Sequence, residues 1–181
     1  MEQQLFIKRA DITPPSKIKF PKDYNYIGGR GEAIAMVRMT EGNVFRMYFL
    51  GEKAKTIDYI IEIVDERFPF FALIQVKTTE KGFDLNGNLL IRVPSSKLDL
   101  LLAKPYPTYL VGVDEPQEIV YVAPVFTTSH RRYSANMPPT YQLQFGHKTN
   151  IANLNRLKED IINFSKQFVN HKNSYKTLLT I

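Results

Sequence analysis

The chain contains no cysteine among its 181 residues. Disulfides, zinc sites built on thiolates and cysteine nucleophiles are therefore excluded. Long apolar runs are missing too, since no stretch approaches the about 20 residues that span a bilayer. The first residues, MEQQLFIKRADITPP, lack the charged and apolar regions of a secretory signal. We therefore expect a cytoplasmic protein, and the length suits one domain with one hydrophobic core.

The formal net charge is +6 and the pI is about 9.4. This charge is compatible with a polyanionic partner, because lysine and arginine side chains release counterions when they meet phosphates. The alternative is that the charge serves solubility alone. The basic residues form no single dense run, so only folding could gather them on one surface; they are Lys17, Lys19, Lys22, Arg30, Lys53, Lys55, His130, Arg131 and Arg132.

The pattern of apolar, β-branched and turn residues predicts alternating helices and strands. A first helix is predicted to follow Gly28–Gly31, with Glu32 in its first turn and Gly42 at its end. A short second helix follows Pro94, and an amphipathic helix closes the chain. The predicted strands cover 43–51, 56–66, 67–79, 108–114 and 118–125, and the predicted later helices cover 97–104 and 150–171.

This order predicts an α/β fold class in which a mixed α+β sheet carries helices on both faces. The core order is α-β-β-β-α-β, with one further strand and an extra C-terminal helix. We predict a single domain over 1–181, in which 1–27 form an irregular arm, 28–124 form the core, and 125–181 form a loop and the terminal helix. Residues 127–148 are expected to be irregular.

The stretch FFALIQVKTT, residues 70–79, begins as an apolar strand and ends with polar side chains. Gln75 and Lys77 point to the same face, because strand side chains alternate. Asp58 lies on the preceding strand of the predicted hairpin. Directly paired residues share a face, so Asp58 approaches these side chains only if it pairs with Gln75 or Lys77, and not with Val76.

A carboxylate, an amide oxygen and a backbone carbonyl are ligands that suit Mg²⁺, which prefers hard oxygen donors and keeps several waters. A neighbouring lysine could orient an attacking water or stabilise charge on a phosphate. The alternative is a solvated sheet face that carries a cross-strand ion pair.

The predicted elements place Gly31-Glu32 on a helix, IDYIIEI on a strand, IQVK on the next strand, and PTYLVGVDEPQEIVYVAPV after a second helix. The order of these elements resembles that of the PD-(D/E)XK nuclease superfamily. Within it, the chain is similar to a bacterial group of unknown function whose third core strand ends in Gln-x-Lys. The likeness covers residues 28–124. It implies a restriction-endonuclease-like fold, Mg²⁺ or Mn²⁺ as cofactor, and hydrolysis of DNA phosphodiester bonds by water.

The resemblance also implies roles for individual residues. Asp58 would be the metal carboxylate, Gln75 would stand where many members have an acid, and Val76 would lend its carbonyl oxygen. Lys77 would be the catalytic lysine. Glu32 would join the metal shell directly or through water, whereas without the resemblance it is a carboxylate favoured by the helix dipole.

Two features depart from the family pattern. Gln75 contributes no negative charge, so the metal would be held less strongly than by two carboxylates. Ile57, rather than proline, precedes Asp58. The sequence therefore predicts a DNA nuclease that could form a homodimer, with a non-catalytic domain of the same fold, binding nucleic acid or protein in a defence or mobile-element system, as the alternative.

Other motifs are weaker. The glycines at 28–31 match neither a Walker A loop nor a dinucleotide-binding fingerprint, and the three histidines lack metal-ligand spacing. Arg131, Arg132 and Tyr133 in the segment TTSHRRYSAN could hold phosphates and stack on a base. The alternative for this segment is a solvated basic loop.

Overall fold

A computed structural model describes residues 24–51, 54, 56–64, 67, 69–85, 87–125, 134–137, 142–143 and 150–172. The helices are α1 (Tyr24–Met39), α2 (Ser95–Leu102) and α3 (Asn150–Lys172), with a 3₁₀ turn at Glu41–Asn43. The strands are β1 (Phe45–Phe49), β2 (Tyr59–Ile63), β3 (Phe71–Thr79), β4 (Leu89–Arg92), β5 (Thr108–Asp114), β6 (Ile119–Pro124), β7 (Ser134–Met137) and β8 (Gln142–Leu143).

Six strands form the main sheet in the order β1-β2-β3-β5-β6-β8, and β4 pairs separately with β7. Only β3 and β5 run parallel among the described neighbours, and the other pairs are antiparallel. A parallel pair needs a long crossover, which β4 and α2 supply here. The predicted mixed α+β class and the predicted hairpin of β2 and β3 are both confirmed.

The sheet separates two apolar clusters. On β5, Val111 and Val113 pack into the first cluster with α1 and α3, whereas Leu110 packs into the second with β4 and α2. This alternation places the clusters on opposite faces of the sheet. We call the face under α1 and α3 the first face and the face under α2 the second face. The prediction of helices on both faces is confirmed, and no helix in the described ranges has the length and apolar character of a membrane span.

The prediction for the start of α1 was wrong. The helix begins at Tyr24, so it includes the last four residues of the predicted irregular arm and the glycines at 28, 29 and 31. Glu32 therefore lies in the middle of α1 instead of its first turn. The helix dipole acts within the terminal turns, so it does not account for this carboxylate.

Three further expectations need correction. The second strand is shorter than predicted, because β2 starts after Asp58. The segment predicted to be irregular contains β7 and β8, which pair with strands distant in sequence. Strand β4 is a third difference, because the sequence pattern predicts no strand over Leu89–Arg92. These four residues are stabilised as a strand by pairing with β7 and by packing of Leu89 and Ile91 in the second cluster.

Gly31 allows α1 to approach β3 closely. A Cβ atom added at this residue would overlap the side chain of Thr78, whereas one at Gly29 would have no heavy atom within 4 Å. The interior of a helix normally disfavours glycine relative to alanine. At Gly31, the tight packing of α1 against Thr78 outweighs the cost of glycine in a helix and allows a short distance between α1 and β3.

We expect Gly31→Ala to lower the free energy of unfolding by about 1–3 kcal/mol, the usual range for overpacking. Gly29→Ala is the matched control, and we expect it to stabilise the protein by about 0.5–1 kcal/mol through helix propensity. Urea denaturation followed by circular dichroism measures both. Equal effects of the two substitutions would contradict the close approach of α1 to Thr78.

Asp114 ends β5 with only 1% of its surface exposed, and its Oδ2 has no hydrogen-bond partner. Burial raises the pKa of this carboxyl, the backbone N–H of Gln117 acts in the opposite direction, and the charge of Glu115 adds to the rise. A carboxyl whose pKa is higher in the folded protein than in the unfolded chain destabilises the fold once it is ionised. The cost is present at neutral pH and disappears on acidification.

We therefore expect Asp114→Asn to be at least as stable as the parent protein at pH 7, because the amide keeps an acceptor for Gln117 and removes the desolvated charge. The advantage should shrink as the pH falls below the raised pKa of Asp114. Urea denaturation at pH 7 and pH 4 measures this change, with the exposed Asp99→Asn as control. An advantage that grows on acidification would contradict the assignment.

Candidate metal centre

The candidate centre lies where the β2–β3 ladder ends. The backbone groups of Leu73 and Thr79 in β3 form hydrogen bonds at the two ends of β5. The Leu73 N–H donates to the Pro107 carbonyl (2.9 Å), and the Thr79 carbonyl accepts from the Glu115 N–H (3.2 Å). Even-numbered residues of β3 therefore direct their peptide groups towards β2. Val76 lies two residues beyond Ile74, which pairs with the first residue of β2. Its N–H and C=O thus face a place where β2 no longer supplies ladder partners.

The side chain of Asp58 takes the place of the missing strand. Its Oδ2 accepts the Val76 N–H at 2.6 Å, and Asp58 itself lies just before Tyr59, the first residue of β2 that pairs with β3. The predicted pairing of Asp58 with Gln75 or Lys77 is not part of the β2–β3 register, and Asp58 reaches β3 through its side chain instead. The carboxylate satisfies a buried backbone donor that would otherwise be costly.

The backbone at Asp58 departs from a regular strand. Its N–H donates to the Ile74 carbonyl at 2.9 Å, although Tyr59 is the residue paired with Ile74. Ile57 packs in the second cluster and Tyr59 in the first, so the alternation of faces is interrupted between them. Two residues opposing one is the pattern of a β-bulge, a feature that redirects a side chain. Here it turns the Asp58 carboxylate towards β3.

Gln75 connects Asp58 to the carbonyl of Val76. Its Nε2 donates to Asp58 Oδ2 at 2.5 Å and to Val76 O at 3.1 Å, and the residue is only 4% exposed. A carboxylate oxygen, a carbonyl oxygen and an amide thus meet at one point. A half-turn about the Gln75 Cγ–Cδ bond presents the amide oxygen in place of the nitrogen.

This donor set fits a hard divalent cation. Asp58, Gln75 and Val76 can each offer one oxygen, and waters complete the shell around Mg²⁺. In the described ranges no three histidine, aspartate or glutamate side chains form a metal-binding group. The candidate centre therefore depends on two neutral oxygens beside one direct carboxylate.

Lys77 follows on the same face of β3 and is half-buried. Burial is the largest influence on its ammonium and lowers its pKa, while the charge of Asp58 acts in the opposite direction. The charge of Lys97, in the first turn of α2, lowers the pKa of Lys77 further, and Glu32 raises it. Lys77 is thus a partly desolvated cation near the candidate ligands.

Glu32 approaches from α1 and is also half-buried. Burial raises the pKa of its carboxyl, the charge of Asp58 adds to the rise, and Lys77 opposes it. The charges of Asp58 and Lys77 therefore both act on the Glu32 carboxyl.

Two residues near the centre were not identified from the sequence. Tyr59 donates its phenol O–H to the Glu32 carbonyl at 3.2 Å, and burial, followed by the charges of Glu32 and Asp58, raises the pKa of Tyr59 to about 12. The charge of Lys97, on α2, acts on Lys77. Tyr59 could have been suspected from its position beside Asp58, whereas nothing in the sequence relates Lys97 to a strand twenty residues earlier.

Arg131, Arg132 and Tyr133 lie outside the described residues, as do His130 and His147. The backbone of His171 is part of α3, and its side chain is outside the described part.

The chain matches no protein-family model, no curated protein and no solved structure.

The position of Gln75 gives a direct test of metal binding. We expect Gln75→Glu to lower the melting temperature without divalent cations, because two carboxylates would lie within hydrogen-bond distance. Added Mn²⁺ should restore the melting temperature and bind at least about tenfold more tightly than to the parent protein, since a charged ligand replaces a neutral one. Calorimetric titration and thermal unfolding measure both, with Gln75→Ala as control. A Mn²⁺ affinity that is equal in all three proteins would rule out a cation at this point.

Proposed function

We propose that the chain is a Mg²⁺- or Mn²⁺-dependent nuclease of the PD-(D/E)XK type, with a restriction-endonuclease-like core, which hydrolyses DNA phosphodiester bonds. The observation that supports this best is the meeting of the Asp58 carboxylate, the Gln75 amide and the Val76 carbonyl at the end of the β2–β3 ladder. The half-buried Lys77 lies one residue further along β3. A metal ligand set beside a desolvated cation suits a reaction in which negative charge develops on phosphate.

In this proposal Asp58, Gln75 and Val76 hold the cation, which supplies Lewis-acid polarisation of the phosphate when bound. The Lys77 ammonium donates hydrogen bonds to a non-bridging phosphate oxygen and stabilises the charge that builds up during attack. The Glu32 carboxylate accepts a hydrogen bond from the attacking water and orients it. The water oxygen bonds to phosphorus and releases one proton to solvent, one bridging P–O bond breaks, and the leaving oxygen takes a proton from solvent.

A second candidate function is favoured by the residue at position 75. An amide brings no charge to the ligand set, so the cation is held more weakly than by two acids. A non-catalytic domain that binds nucleic acid or a protein partner through the same fold would retain the Asp58–Val76 hydrogen bond for structural reasons alone. Salt-sensitive DNA binding that is independent of divalent metal would support this function.

We expect Lys77→Ala to reduce cleavage by at least about 100-fold, the usual effect of removing one stabilising group. Burial lowers the pKa of Lys77, so removing its charge should not cost folding stability. The assay uses labelled linear, circular and single-stranded DNA with Mg²⁺ or Mn²⁺. Lys104→Ala, at an exposed lysine just beyond α2, is the matched control.

Asp58→Asn complements this test, because asparagine keeps an acceptor for the Val76 N–H and removes the charge. We expect loss of metal binding and of cleavage with the fold intact. Cleavage that survives both Asp58→Asn and Lys77→Ala would sink the nuclease proposal. Absence of cleavage by the parent protein, with DNA binding unaffected by metal, would favour the non-catalytic function.

A further inference from the structure

An exposed aromatic ring stands beside the candidate centre. Phe49, the last residue of β1, is 62% exposed, although phenylalanine is among the residue types most often buried. β1 is the terminal strand of the main sheet in the described part of the chain, so its outer edge pairs with no other described strand. The ring is therefore presented to solvent at the rim of the sheet.

The position of Phe49 relative to the centre is fixed by three contacts. Its backbone pairs with Tyr59, and the two ring centroids lie 5.3 Å apart at 51°. The next residue, Leu50, donates its N–H to the Asp58 carbonyl at 2.9 Å. Paired Cα atoms are about 5 Å apart, so the backbone of Phe49 lies opposite the residue that follows Asp58. It also packs on the phenol that donates to the Glu32 carbonyl.

Resting on the proposed function, we infer that Phe49 stacks on a nucleobase next to the scissile phosphate, and that the substrate class is nucleic acid with unpaired bases. Phe49 lies across the β1–β2 ladder from the residue that follows Asp58, so a nucleotide whose phosphate binds at Asp58 would have its base within reach of this exposed ring. In a duplex both faces of a base are covered by its neighbours, so a protein ring stacks on bases of single strands and frayed ends. The net charge of +6 favours the accompanying sugar-phosphate chain.

The chain contains no tryptophan, so Phe49→Trp creates a protein with a single indole reporter at this position. We expect its fluorescence to be quenched, saturably, by a single-stranded oligonucleotide in buffer with EDTA, where no cleavage occurs. A blunt hairpin duplex should quench it far less, and an abasic sugar-phosphate chain of equal length should not quench it. Phe71→Trp is the matched control, because Phe71 is also exposed and pairs with Glu62 at the opposite end of β2.

Affinity measurements by fluorescence anisotropy test whether the contact is stacking. Phe49→Ala should weaken single-strand binding about 5- to 100-fold and leave binding to the abasic chain unchanged. Phe49→Leu keeps apolar area without an aromatic face, so it should lose as much affinity as Phe49→Ala. Leucine that binds as well as phenylalanine, or equal losses on the abasic chain, would overturn stacking. Unchanged DNA affinity with altered sedimentation would instead make this rim a contact between copies of the chain.

The two proposals fail in different ways. Cleavage that depends on Asp58 and Lys77 but is insensitive to Phe49 substitutions overturns stacking and leaves the nuclease. Single-strand binding that depends on Phe49, in a protein whose metal binding is unchanged by Asp58→Asn, overturns the nuclease and supports a binding domain for unpaired nucleic acid.

Discussion

The hydrogen bond from the Val76 N–H to the Asp58 carboxylate is the interaction on which the candidate centre depends. The β2–β3 ladder ends at the pair Tyr59–Ile74, so β2 no longer pairs with β3 beside Val76. The end of the ladder leaves backbone groups without ladder partners. Asp58 compensates for one of them at 2.6 Å, and this local solution places a carboxylate beside a carbonyl oxygen.

The same hydrogen-bond network also explains why Gln75 is buried. Its amide nitrogen satisfies the Asp58 carboxylate and the Val76 carbonyl at once, so a neutral side chain stabilises the arrangement without a cation. An acid at this position would repel Asp58 until a cation bound. Glutamine thus stabilises the metal-free protein, and under the proposed function it would hold a cation less strongly than an acid.

Helix α1 carries Glu32, whose carboxyl pKa responds to the charges of Asp58 and Lys77. Gly31 lets the helix lie close to Thr78, and the Tyr59 phenol bonds to the carbonyl of the next residue, Glu32. Tyr59 also supports the Phe49 ring. One buried tyrosine therefore contacts both α1, at the backbone carbonyl of Glu32, and the exposed ring at the end of β1.

The sequence by itself determined the three helices, five of the strands, the mixed α+β class, and the shared face of Gln75 and Lys77, because periodicity and strand alternation are local properties. It did not determine where α1 begins, since glycines at 28, 29 and 31 disfavour a helix locally and only packing on β3 makes one stable. The short strands β4, β7 and β8 depend on partners far away in the chain. The approach of Asp58 to Val76 required a bulge and a register, and the approach of Lys97, Tyr59 and Glu32 required two helices and a strand to meet. Such contacts arise between distant segments, so only the tertiary structure decided them.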